Sequence, residues 1–180
     1  GTLGLSGRTE SVADVVIVLE HRQAAAAPSS AATAELLQLP LTAHQRTVMR
    51  GRRRTSCGLD VLLQLPREGS LQPGERLVDG ARTRQVVVVA AEEELLRVQA
   101  ASPLALLQAA YHLGNRHVSL ELHEHELLLL DDAVLATMLA GLGLTLSRCR
   151  RPFLPEGGAY AGHSHRHGHE HVDSEMNSSV

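Results

Sequence analysis

A run of apolar residues at helical spacing that stops at Gly114, followed by an alternating pattern from His117, most restricts how this chain can fold. Ser102 stands where an N-cap is wanted, and Pro103 takes the first helical position, where its missing N–H costs nothing. Pro103, Leu106, Leu107, Ala110 and Leu113 recur at three- and four-residue intervals, which predicts a helix buried along that stripe. Gly114 is the residue expected to close it in a left-handed turn. Beyond it, Val118, Leu120 and Leu122 alternate with His117, Ser119 and Glu121, the period of a strand with one buried face.

The flanking sequence supplies the rest of a sheet. Residues 95–100 read as a strand before the helix. Residues 126–130 carry four leucines in a row, which predicts a strand covered on both faces. Asp131 or Asp132 caps a second helix with Val134, Leu135, Met138, Leu139 and Leu142 inward; Gly141 and Gly143 end it, and residues 144–149 form a last strand. The order βαββαβ predicts a ferredoxin-like split unit over residues 93–160, with both helices on one side of four strands. The other face, carrying His117, Ser119 and Glu121, is expected to meet solvent or a second copy, and a two-fold axis there pairs each residue with itself.

The first half has a different texture. After a flexible leader at 1–14, β-branched residues 15–19 predict a strand, 24–34 a loop, and 46–50, 58–65 and 85–92 further strands. Pro66-Arg67-Glu68-Gly69 and Gln72-Pro73-Gly74-Glu75 are turn sequences between them. Residues 15–92 therefore read as an all-β module, a small barrel or sandwich, and the whole chain as α+β. Arg50 and Arg52, Arg53 and Arg54 form the one basic cluster; such a run either contacts an anionic partner or keeps a strand edge unpaired.

Composition excludes several roles. The 180 residues carry a formal charge of −3, with arginine as the only basic residue besides histidine, which argues against nucleic acid as a partner. No apolar run is long enough to cross a membrane and no export signal is legible, so the cytoplasm is expected. Cys57 and Cys149 lie far apart and outside any CxxC pattern, which signals neither a disulfide framework nor a thiolate zinc site. Eleven histidines stand against two tyrosines, one phenylalanine and no tryptophan, so histidine is used for chemistry rather than bulk.

Five of those histidines, His163, His165, His167, His169 and His171, occupy every second position of a carboxyl-terminal stretch with nothing to pack, so 161–180 is expected to be disordered without a ligand. Neutral imidazole suits nickel, zinc, copper and iron, and several rings on one segment can wrap an ion. His117 is predicted to face away from its strand's apolar side. His112 lies off the helix stripe, where it either ligates or caps the helix's carboxyl end. His123 and His125 read as an exposed turn.

Arg52-Arg53-Arg54-Thr55 with Gly58-Leu59-Asp60, Leu71-Gln72-Pro73-Gly74-Glu75, and above all Tyr111-His112-Leu113-Gly114-Asn115-Arg116-His117 resemble the UreE family of urease accessory metallochaperones. Pro152-Phe153-Leu154-Pro155-Glu156-Gly157-Gly158-Ala159-Tyr160 followed by a histidine-rich end is similar to that family's carboxyl terminus. The resemblance implies a cytoplasmic homodimer, not an enzyme, that binds Ni(II) and passes it to the urease apoprotein with other accessory proteins, including a GTPase. It also implies that the histidine ending the GNRH motif, His117, is the principal nickel ligand at the dimer interface. Where some members carry two further histidines at the second helix, this chain has Asp131, Asp132 and Ala133, which shifts further ligands to the tail.

The expected mechanism pairs His117 of two chains on one ion, with tail histidines completing or loading the site. Copper outbids nickel at nitrogen ligands, so Zn(II) or Cu(II) is expected to bind in vitro, and selectivity must come from availability and docking. Imidazole ligates only when neutral, so binding is expected to fade as pH falls through about 6.5. The alternative is a protein that stores or buffers nickel or zinc without delivering it. A metallohydrolase lacks its HExxH motif, and an RNA-binding sheet lacks its aromatics.

Overall fold

The structure, a computed structural model, describes residues 16–25 and 36–157. The expected leader, most of the 24–34 loop and the histidine-rich tail at 161–180 lie outside the described residues. The described chain is mixed α+β, mostly strands with two helices.

The first half builds one six-stranded sheet from β1 (Ile17–Gln23), β2 (Leu37–Leu41), β3 (Arg50–Arg54), β4 (Asp60–Gln64), β5 (Arg76–Asp79) and β6 (Gln85–Ala90), in the order β2-β6-β5-β1-β4-β3. Alternate residues turn inward: Ile17 and Leu19, Leu39 and Leu41, Val61 and Leu63, and Val86 and Val88 meet in one buried cluster with Met49, Leu65, Leu71 and Leu77. Ser56 N–H, just past edge strand β3, donates to Gln38 O of the opposite edge strand β2 at 2.9 Å. The sheet therefore curls towards closure around its core.

Several strand expectations shift. Of the strand expected at 46–50 only Arg50 is strand, as the start of β3; a 3-10 turn at Gln45–Thr47 precedes it, because Thr42 and Gln45 cap one another's backbone there at 3.1 and 3.0 Å. β2 and β5 had gone unpredicted: β2 contains Pro40, and β5 is only four residues long. Of the arginine cluster, Arg50, Arg52 and Arg54 lie on the outer side of edge strand β3. Arg53 pairs with buried Val61 on the core side, so its stem covers the end of the core.

The second half runs β7 (Glu92–Gln99), α1 (Pro103–Asn115), β8 (Glu121–Leu122), β9 (Glu126–Leu130), α2 (Ala133–Gly141) and β10 (Thr145–Pro152). Its strands pair antiparallel in the order β10-β7-β9-β8. Both helices lie on one face, where Leu106, Ala109, Leu113, Leu135 and Leu139 pack against Leu96, Val98, Leu127 and Leu129. Both caps form as the sequence predicts: Ser102 Oγ accepts from Ala105 N–H at 3.2 Å and Asp132 Oδ1 from Leu135 N–H at 2.9 Å. Two helix stripes need correction. Leu107 and Pro103 face solvent on α1, with Ala109 inside instead, and Val134 and Leu142 are exposed on α2.

The sheet's second face is not the open surface expected from alternation. Leu95, Leu128 and Cys149 on that face bury Phe153, which returns across it from the end of β10, and Ala43, from the turn after β2, packs there too. Arg46 joins the two halves: its buried guanidinium donates to Leu41 O at 2.9 Å and to Phe153 O. Ala43 N–H donates to Glu93 Oε2 at 2.9 Å.

Candidate metal-presenting site

The expected strand at 117–122 exists only as Glu121–Leu122, because α1 runs further than Gly114 and ends differently. Gly114 lies inside the helix. The left-handed residue is His117, with φ +58°. His117 N–H donates to Gly114 O at 3.0 Å and Val118 N–H to Leu113 O at 3.2 Å, the paired bonds of a Schellman ending with His117 in the position usually given to glycine. Val118 and Leu113 then share the core cluster, which fixes the exit of the chain.

Helix α2 ends by the same pair of bonds, Gly143 N–H to Ala140 O at 3.0 Å and Leu144 N–H to Leu139 O at 3.3 Å, with Gly143 at φ +80°. One fold thus shows the same turn with glycine and with histidine. A left-handed non-glycine residue costs about 1–2 kcal/mol, so the imidazole at 117 is retained against a backbone preference. It is exposed, and among the described residues no side chain hydrogen-bonds it.

The helix that presents His117 is apolar on two sides. Opposite its buried face, Leu104, Leu107 and Tyr111 are 63%, 67% and 67% exposed, at spacings of three and four residues that form one stripe leading to the helix's carboxyl end. Three large apolar side chains aligned on a solvent face form an apolar stripe with no cover among the described residues. The sequence carried the signal, a second period at 104, 107 and 111, but Leu107 had been assigned to the core stripe.

His112 sits in the last turn of α1, exposed, with its ring edge-on to Tyr111 at 5.7 Å between centroids. His123 is in the predicted turn, but its Nε2 lies 2.8 Å from Oε1 of Glu121. His125 is exposed beside Glu124. Glu121, expected on an open face, is buried, and no pattern in its strand signals that. Among the described residues no three His, Cys, Asp or Glu side chains converge to hold a metal. His163, His165, His167, His169 and His171 lie outside the described residues. Among the described residues no helix is long and apolar enough to cross a membrane.

Fold and site define a class: an α+β protein that displays an exposed imidazole at the end of an apolar helix face. Residues 93–175 match the family model of the UreE urease accessory protein, C-terminal domain. Over 150 residues the chain is 67% identical to urease accessory protein UreE of Parasynechococcus marenigrum (strain WH8102), covering 83% of this chain and 97% of that protein. UreE of Synechococcus sp. (strain CC9311) is 64% identical over 148 residues, 82% of this chain and 96% of its own length. UreE of Thermosynechococcus vestitus is 48% identical over 140 residues, 76% and 94% of the two chains. The chain belongs to the UreE family of urease accessory proteins.

Proposed function

We propose that this protein is a nickel metallochaperone that serves urease assembly: a cytoplasmic homodimer that carries Ni(II) to the urease apoprotein together with other accessory proteins, including a GTPase. It is a carrier, not an enzyme. In this reading residues 93–160 are a ferredoxin-like metal-binding domain, residues 15–92 an all-β domain, and 161–180 a histidine-rich tail.

One observation carries the proposal. An unpartnered imidazole occupies a left-handed position at the end of a helix whose outer face is a stripe of Leu104, Leu107 and Tyr111. Two copies packed along that stripe about a two-fold axis that passes by the helices' carboxyl ends would bring their His117 rings together. Covering three large side chains on each copy contributes several kcal/mol towards holding a dimer, against the cost of association. The dimer face is thus moved from the second sheet face, which Phe153 covers, to helix α1.

Nickel is cargo at such a site. Two imidazoles, one from each copy, leave coordination positions open, and no third ligand converges among the described residues. His112, one turn back on the same helix, and the tail residues His163, His165, His167, His169 and His171 are the further ligands. A site made of few, separately tethered ligands releases its ion more readily than a closed one, which suits delivery. Zinc and copper compete for the same nitrogens, so selectivity rests on supply and docking.

Nickel titration tests this on three forms: the unsubstituted full-length protein, full-length His117→Ala, and a form lacking the residues after Gly162. Weakened binding in both altered forms is expected; unchanged stoichiometry and affinity in both would end the proposal. Nickel-dependent activation of apo-urease separates delivery from storage, since a storage protein binds the ion and activates nothing.

A further inference from the structure

The arginine cluster of β3 is largely left over once the fold is accounted for. β3 is an outer strand of the six-stranded sheet, paired on one side only, with β4. Arg50, Arg52 and Arg54 are exposed on it, and Arg54 meets Asp60 at 3.0 Å. The Arg50 and Arg52 guanidiniums have no acceptor among the described residues. Arg67, in the turn after β4, is exposed and equally unpaired, and the neighbouring Glu68 makes no ion pair with it. Arg50 and Arg67 line one open cavity of about 450 Å³ together with Thr47, Met49, Gly69 and Ser70.

The floor of that cavity is held from below. The Arg22 guanidinium, nearly buried and paired with Glu75, donates to Gly69 O at 2.9 Å and Ser70 O at 3.3 Å, and reaches Met49 Sδ at 3.7 Å. Both carbonyls are turned towards Arg22, so in trans peptides the N–H that follows each points the other way. Leu71 N–H thereby reaches Arg46 O at 2.7 Å, whereas Ser70 N–H has no acceptor among the described residues. Two guanidiniums and an N–H on a fixed floor form a pre-organised place for an oxyanion.

Charge is divided between the two halves of the chain. Among the described residues before Glu92, ten arginines stand against five carboxylates; from Glu92 to Gly157, five stand against nine. An anionic partner is therefore drawn to the first half and repelled by the second, which carries His117. Protection of a sheet edge accounts for arginines on β3. It does not account for Arg67, which lies off that strand and shares a cavity with Arg50.

We propose that Arg50, Arg52 and Arg67 form a docking site for an acidic segment of a partner protein, with one carboxylate seated between Arg50 and Arg67. Arg50 and Arg52 are two residues apart on a strand, about 7 Å, which matches alternate side chains of an extended segment. Acidic residues at every second position are the pattern that fits. Nucleic acid fits less well, because no aromatic side chain lines the cavity to stack a base. The inference goes beyond nickel carriage and does not depend on it.

The test uses the full-length protein and a labelled peptide that alternates glutamate with valine, followed by fluorescence anisotropy at low and at physiological ionic strength. Binding is expected, and loss of it when glutamine replaces glutamate in the peptide. Arg50→Gln with Arg67→Gln should weaken binding about tenfold or more. Arg82→Gln with Arg84→Gln removes the same charge at exposed positions between β5 and β6, and should weaken it less than about twofold. All four side chains are exposed, so circular dichroism should be unchanged in both variants. No binding of the peptide to the unsubstituted protein, or equal weakening in the two variants, overturns the site. Displacement of the peptide by an equal concentration of inorganic phosphate, or tighter binding of a short single-stranded RNA at the same cavity, also overturns it, by assigning the arginines to another ligand.

Discussion

His117 sits where glycine is the cheaper residue, and that separates its chemistry from its structure. His117→Gly relieves left-handed strain of about 1 kcal/mol while adding unfolded-state freedom of similar size, so stability should move by less than about 1 kcal/mol in thermal or urea unfolding. Nickel affinity should nonetheless fall in the same variant. A loss of binding accompanied by several kcal/mol of destabilisation would instead make the ring structural. In the sequence His117 stands out through the family resemblance of the motif it ends, after Leu113-Gly114-Asn115-Arg116; its left-handed conformation is not legible there. Gly114 invited the left-handed turn, but the Schellman bonds run from Leu113 and Gly114 to Val118 and His117, which sets the turn three residues later. Glu121 was misplaced for a related reason, since alternation assigns a face but cannot reveal what returns to cover it.

At the scale of elements, α1 is apolar on two sides. Leu106, Ala109 and Leu113 hold it on the sheet, and Leu104, Leu107 and Tyr111 are exposed on the other side, the face proposed for the dimer. Leu107→Asp should therefore give a folded monomer, seen as a halved mass in light scattering with unaltered circular dichroism; a dimer of unchanged mass would remove α1 from the interface. Both helices were legible from their caps and spacing, while the inner stripe of α1 was partly misassigned because a helix apolar on two sides carries two periods. The β5–β6 hairpin offers a check on the first sheet. Asp79 is held below the usual carboxylate range first by the backbone N–H of Arg84, then by the hydroxyl and N–H of Thr83, against an opposing desolvation. A depressed folded value stabilises the protein above the unfolded pKa of about 4 and loses that contribution as pH falls through the folded value. Asp79→Asn should flatten that acid-side loss in unfolding measured across pH.

For the whole molecule, the two sheets behave as one body because Arg46 and Phe153 interlock. Burial lowers the Arg46 pKa, and the nearby charge of Glu93 works against that shift. Arg46→Ala would leave Leu41 O and Phe153 O without their donor, at a cost of roughly 2–4 kcal/mol, and should separate one unfolding transition into two in calorimetry. Persistence of a single transition at an unchanged midpoint would show that the clasp is incidental. No sequence pattern announced this joint: Arg46 looked like part of a strand, and its partner is a carbonyl over a hundred residues away. The same joint seats the stretch after β10, whose Glu156 N–H donates to Leu120 O at 2.7 Å. The central claim is that His117 rings from two copies share one nickel ion. Anomalous scattering at the nickel edge from crystals of the loaded full-length dimer tests it most directly: a single peak on the two-fold axis, bonded to His117 of both chains, is predicted. A nickel peak bonded to only one copy's residues, with the two His117 rings far apart, would contradict it.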